Sequence, residues 1–189
     1  PSEDPRQPHI VQLGAALVDT DTRKVLSSLD LIIRPDGWTI SDEVAAIHGI
    51  TTERALDVGV SGASVFELLL ELWGRADSRI GHNESFDARM VRIALLRHAD
   101  TEPEAEINAR WKAGAAECTQ ALSTPILKLP PTEKMIAAGR RHHKSANLGE
   151  AYKFFTGRPL MGAHSAMVDV RACIAVYRAI KSGQREAAA

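Results

Sequence analysis

The sequence predicts one mixed α/β domain, and three observations predict it. The segments HIVQLGAALVD and KVLSSLDLIIRP are rich in Val, Ile and Leu and flank the turn composition DTDTR, which reads as a β-hairpin. Farther along, apolar residues recur at helical spacing behind Ser, Thr and Asn residues that suit helix N-termini. Among those helices SRIGHN reads as a further short strand or strand end. An antiparallel hairpin joined to parallel strands is therefore expected.

Taken in order, the hairpin comes first. Asp19 and Asp21 look like a carboxylate pair, but they sit at its tip, where a solvated turn is the reading. SDEVAAIHGITTERA predicts two short helical turns, the first starting at Ser41 or Thr39 and the second at Thr51 or Thr52, linked by His48, Gly49 and Ile50. Residues 61–76 read as an amphipathic helix: Ser64 and Glu67 make a capping box, Val65, Leu68, Leu69, Leu72 and Ala76 fall at helical spacing, and Gly74 weakens the end. A helix from Glu84 to His98, with Asn83 as its cap, follows SRIGHN. TEPEAEINARWKAGAAECTQALSTPILKLPP is less regular, so loops and short helices are expected up to Pro130 and Pro131. SANLGEAYKFFTG, closed by Gly157, and SAMVDVRACIAVYRAIKS are the last two helices. There is no internal repeat and no domain linker.

A chain of 189 residues suits a single hydrophobic core, and its 44% hydrophobic and 25% charged residues are those of an ordinary folded protein. No apolar run approaches the roughly 18 residues of a membrane span, and PSEDPRQPHI has neither the basic start nor the apolar core of a signal peptide. A cytoplasmic location with no membrane contact is the expectation. Cys118 and Cys173 are far apart without metal-site spacing, so neither zinc nor a disulfide framework is indicated; Cys173 reads as core. The net charge is −1, yet residues 128–181 carry ten Lys or Arg against Glu133, Glu150 and Asp169. Within that basic third, the cluster Arg140, Arg141, His142, His143 and Lys144 either meets a polyanion or forms a solvated loop.

Two carboxylates stand on faces meant to pack. Cys173, Val176 and Ile180 follow Asp169 at helical spacing, and Met90, Val91, Ala94, Leu95 and His98 follow Asp87 in the same way. Each acid lies in or near the first turn of its helix, where capping alone is one explanation. Neither stripe offers a Lys or Arg, and a partly buried unpaired carboxylate costs several kcal/mol. A shared site for a hard ion, Mg²⁺ or Mn²⁺, is the other explanation. His164, on the loop ahead of Ser165, is of the residue type that takes a proton from water near neutral pH.

GHNESFD, ending at Asp87, and HSAMVD, from His164 to Asp169, resemble the second and third motifs of the DEDDh, or DnaQ-like, 3′-5′ exonucleases, the family of the DNA polymerase III epsilon subunit and ribonuclease T. IVQLGAALVD, the IHGIT around His48 and NLGEAYKFFTG are similar to this family in the same order. The resemblance implies a ribonuclease H-like mixed sheet with helices on both faces. It implies two Mg²⁺ or Mn²⁺ ions and hydrolysis of terminal phosphodiesters of single-stranded or frayed DNA, releasing nucleoside 5′-monophosphates. Asp169 would hold the nucleophile-side metal, Asp87 the second largely through water, and His164 would be the general base. His48, Gly49 and Ile50, together with His82, Asn83 and Phe86, would line the terminal nucleotide; core packing and capping are their other readings. The implied partners are nucleic acid with a free 3′ end and a DNA polymerase or a second copy of the chain.

The family's first motif, Asp-x-Glu on the opening strand, has no counterpart. Glu3 and Asp4 are in the wrong order, lack an apolar strand and lie among prolines, and Asp19 and Asp21 come after the second strand of the pattern. The expectation is a single exonuclease domain, residues 1–189, belonging to a longer chain whose first strand precedes Pro1; without that strand little or no nuclease activity is expected. An exoribonuclease of the same family and a catalytically inactive nucleic-acid-binding or polymerase-associated domain are the rival readings.

Overall fold

In a computed structural model, which describes residues 7–98 and 104–183, the hairpin forms as expected: β1 (Gln12–Val18) pairs antiparallel with β2 (Val25–Ile32). Asp19 turns the chain at its tip by accepting the backbone N–H groups of Asp21 and Thr22, both at 2.9 Å. This acid serves the turn. Glu3 and Asp4 lie outside the described residues.

Two short helices follow, α1 (Asp42–His48) capped by Ser41 and α2 (Thr52–Val58) capped by Thr51. Gly49 joins them in the left-handed region, φ 76°, a conformation a side chain would strain. The next helix, α3 (Gly62–Trp73), is capped by Ser61 and not by Ser64: the Ser61 hydroxyl accepts the N–H of Ser64 at 3.3 Å. Its packed face is set by Val65 and Phe66, whereas Leu68 remains 45% exposed. The capping-box pattern matched one turn too late because Ser61 and Ser64 are both good caps three residues apart.

β3 (Ser78–Gly81) then leads into α4 (Glu84–His98). The region expected to be loops and short helices contains α5 (Glu104–Ala113), β4 (Ala115–Cys118) and α6 (Thr119–Leu127). β4 pairs parallel with β3, Ser78 opposite Ala115 through Gly81 opposite Cys118. Its sequence, AAEC, has little intrinsic strand preference, so pairing with β3 makes it a strand. α7 (Glu133–Ala137), α8 (Leu148–Thr156) and α9 (Ala166–Ser182) complete the order. Asn147 and Glu150 form a full capping box on α8, which Gly157 closes in the left-handed region.

Leu13, Ile33, Val65, Phe66 and Trp111 bury one core between the hairpin, α3, α4 and α5. A second joins α8 to α9 through Ala151, Phe155, Val176 and Ala179. What brings the two together is contact between β1 and α9. A Cβ on Gly14 would lie 2.7 Å from the carbonyl carbon of Ala166, so only glycine lets strand and helix approach this closely. Among the described residues the β1–β2 and β3–β4 pairs form separate sheets, each of β1 and β3 having a single strand partner. No helix among these residues is long and apolar enough to cross a membrane.

Candidate active site

The first turn of α9 starts beside β1. Its N-cap Ser165 makes no side-chain cap bond; instead the Gln12 side-chain oxygen on β1 accepts the Ala166 N–H at 3.2 Å, while its amide donates to Asp30 at 2.7 Å. The hairpin thus fixes the start of the helix that carries Asp169. Just ahead, His164 takes a left-handed conformation, φ 73°, which turns its backbone N–H toward the Asp169 carboxylate, 3.2 Å away. Such a conformation is uncommon in a non-glycine residue and is held here by that bond. The His164 ring remains exposed.

Asp87 enters from the first turn of α4. Asp87 lies on the exposed surface and not on the packed face expected for it, yet protein crowds one side of the carboxyl: a Cβ on Gly81 would lie 3.4 Å from Oδ2. Lost solvation, then the charges of Glu84 and Asp169, push the Asp87 pKa up to about 6. Lost solvation also raises that of Asp169, and the His164 N–H and ring oppose the rise. Two acids from different helices are therefore close enough to repel, and neither has a Lys or Arg partner among the described residues. An all-oxygen, doubly negative pair with no protein cation suits a hard divalent ion. Asp87 and Asp169 fit as part of its donor set; no third His, Cys, Asp or Glu joins them in a metal-holding group among the described residues.

The remaining expected site residues divide. His48 lies close enough to His164 to feel its charge, and burial is the main cause lowering its own pKa. Its Nδ1 accepts the Ile50 N–H at 3.1 Å, so the hydrogen of the neutral ring sits on Nε2, which is buried without a partner. Ile50 turns inward to Ile40 and Ala55. Phe86 is 52% exposed beside Asp87. Asn83 is exposed in the left-handed region, φ 70°, and its carbonyl accepts the Phe86 N–H. His82 faces elsewhere: Nδ1 lies 2.9 Å from the Thr119 hydroxyl and Nε2 3.0 Å from the Ala146 carbonyl.

Three residues escaped the sequence reading. Gln12 looks like any polar residue alternating along a strand. Gly14 reads as a weak point in that strand. Thr119, fully buried, bonds Gly81 O at 3.2 Å and approaches Cys173 Sγ at 3.6 Å. Nothing in the linear pattern shows that these three tie β1, β3 and α9 together. Cys173 is core as expected, and burial pushes its thiol up to about 11.

The RNase_T family model, described as Exonuclease, matches residues 2–177. No curated protein sequence matches the chain. Among solved structures, E. coli exonuclease I in complex with a dA16 oligonucleotide superposes with a TM-score of 0.65 at 19% identity, over 92% of this chain and 37% of that one. The chain thus spans well under half of exonuclease I. The nuclease domain of 3′hExo, a DEDDh family member bound to rAMP, gives 0.60 at 12% identity, over 97% and 88% of the two chains. A 3′-exonuclease solved for 3′-end specific recognition of histone mRNA stem-loop gives 0.63 at 14%, over 97% and 78%.

Proposed function

The chain belongs to the exonuclease family described by the RNase_T model and shares the ribonuclease H-like α/β fold of its DEDDh neighbours; from that premise we propose a metal-dependent 3′-5′ exonuclease acting on single-stranded or frayed DNA ends. The observation that carries the reading is the meeting of Asp87 and Asp169, two unpaired carboxylates from the first turns of different helices, beside the exposed ring of His164.

Asp87 and Asp169 would hold Mg²⁺ or Mn²⁺, which when bound polarises the scissile phosphate and steadies the leaving oxygen. His164 takes a proton from the attacking water with its exposed ring, while its backbone N–H keeps Asp169 aimed. Phe86 offers an exposed ring for the terminal base. Two carboxylates do not fill the coordination of two such ions, each of which takes about six oxygens. The reading therefore requires further acids, and a strand carrying Asp-x-Glu against the open edge of β1 or β3 would supply them. Residues 1–189 are then part of one exonuclease domain.

A second reading, exoribonuclease, draws on the neighbours solved with rAMP and for histone mRNA recognition. Incubation of the full-length protein with 5′-labelled DNA and RNA oligonucleotides, with and without Mg²⁺, tests both. A ladder shortening from the 3′ end of DNA in Mg²⁺ alone supports the first; a ladder on RNA alone selects the second. Internal cuts, or degradation that persists in chelator, would remove the two-metal exonuclease.

A further inference from the structure

We propose that the loop of residues 129–144 is a phosphate clamp that holds the substrate strand away from the bond being cut; the proposal rests on the nuclease reading for the identity of its polyanion. The loop is closed at its base, where the Lys144 N–H donates to Leu129 O at 3.0 Å. Inside it α7 is capped by Thr132, and the N–H of Arg140 returns to Met135 O at 2.8 Å. Sixteen residues with joined ends and internal bonds make a folded projection.

Its charge is one-sided. From Lys128 to Lys144 there are five Lys or Arg against Glu133 alone, in a chain whose net charge is −1. Lys144 pairs with Glu150 at the foot. Lys128, Lys134, Arg140 and Arg141 are all exposed and make no side-chain bond or ion pair with described residues. Ile136 stands 53% exposed among them, an apolar surface suited to a sugar or base. Like charges gathered without counter-charges repel, and a row of phosphates relieves the repulsion.

Two residues past its end, the loop is bonded to the stretch of chain that leads into the helix of Asp87. Ala146, fully buried, accepts from His82 Nε2 and from the Gln120 side-chain amide, both at 3.0 Å. His82 directly follows β3 and immediately precedes Asn83 and the helix of Asp87. On this proposal a strand whose 3′ end lies at Asp87 and Asp169 runs on toward these cations, which the bonds of Ala146 hold to the same segment of chain.

The test compares full-length protein with its Lys134→Ala/Arg140→Ala/Arg141→Ala variant and with Arg140→Lys/Arg141→Lys, which keeps the charge. Binding of a labelled single-stranded oligonucleotide and of anionic phospholipid vesicles is followed over a salt series. Hydrolysis is read as the ratio of kcat/KM for the oligonucleotide to that for a dinucleotide. The triple variant is expected to bind the oligonucleotide about tenfold more weakly, with the slope of log affinity on log salt reduced by about 2, and to lose oligonucleotide preference in step. The lysine variant should retain both. Equal affinity and slope in the triple variant overturn the clamp, as does binding to vesicles without binding to the oligonucleotide. Salt-dependent binding lost in the triple variant, in a protein that hydrolyses nothing, supports the clamp and removes the nuclease reading. Hydrolysis by wild type that the triple variant matches at every salt does the reverse.

Discussion

Asp87 is a charge placed where the fold would do better without one. Its pKa of about 6 arises because burial and two neighbouring acids disfavour the carboxylate. Without a divalent ion, Asp87→Asn should therefore raise the melting temperature at pH 7, a gain seen by calorimetry in chelator, while abolishing hydrolysis. His164→Ala should lower turnover by about 10² to 10⁴ with Mg²⁺ present, the usual contribution of a general base; a wild-type rate at neutral pH would refute its role. His82 gives the pH dependence. Burial lowers its pKa below 6.5, against a smaller rise from the Ala146 carbonyl, so the unfolded chain binds the proton more tightly. Its contribution to stability is complete above about pH 6.5 and is lost as pH falls through the folded value. His82→Gln should flatten that acid-side loss in melting curves taken across the interval.

At the scale of elements, the site depends on the approach of β1 to α9. Gly14→Ala places a methyl where the Ala166 carbonyl carbon already stands, 2.7 Å from the new atom. Strand or helix must shift, at a cost of about 1–3 kcal/mol. Urea unfolding should register this loss, and activity should fall further than stability because the shift moves Asp169. α4 and α9 were legible from their apolar spacing, but of the two acids read onto packed faces Asp169 is half-buried and Asp87 is exposed. β4 was not legible, since AAEC becomes a strand through its parallel register with β3, a partner 37 residues earlier. The cap of α3 is Ser61 and not Ser64, with Val65 and Phe66 buried in the turn that follows.

Across the whole molecule, Asp87 belongs to the half built on the hairpin, α3 and α4, and Asp169 to the half built on α8 and α9. An ion held by both links the halves and stabilises by mass action, about 2.7 kcal/mol at a hundredfold excess over its dissociation constant. Mg²⁺ should thus raise the melting temperature of the full-length protein in a concentration-dependent way, and the Asp87→Asn/Asp169→Asn variant should not respond. An equal response in both would place the ion elsewhere.

The sequence by itself determined the hairpin, the α/β class and the two helices with Asp87 and Asp169 in their first turns, because periodicity, caps and short motifs are local. Tertiary structure alone decided that Asp87 and Asp169 meet, that His82 faces Thr119 and Ala146, and that Gln12 caps a helix 154 residues away. It also decided that the cations of residues 128–144 stand on a loop closed between Leu129 and Lys144, with Ala146 just beyond it bonded to His82. Those facts depend on contacts between residues distant in the chain, and such contacts are fixed by packing, which leaves no regular trace in the order of the residues.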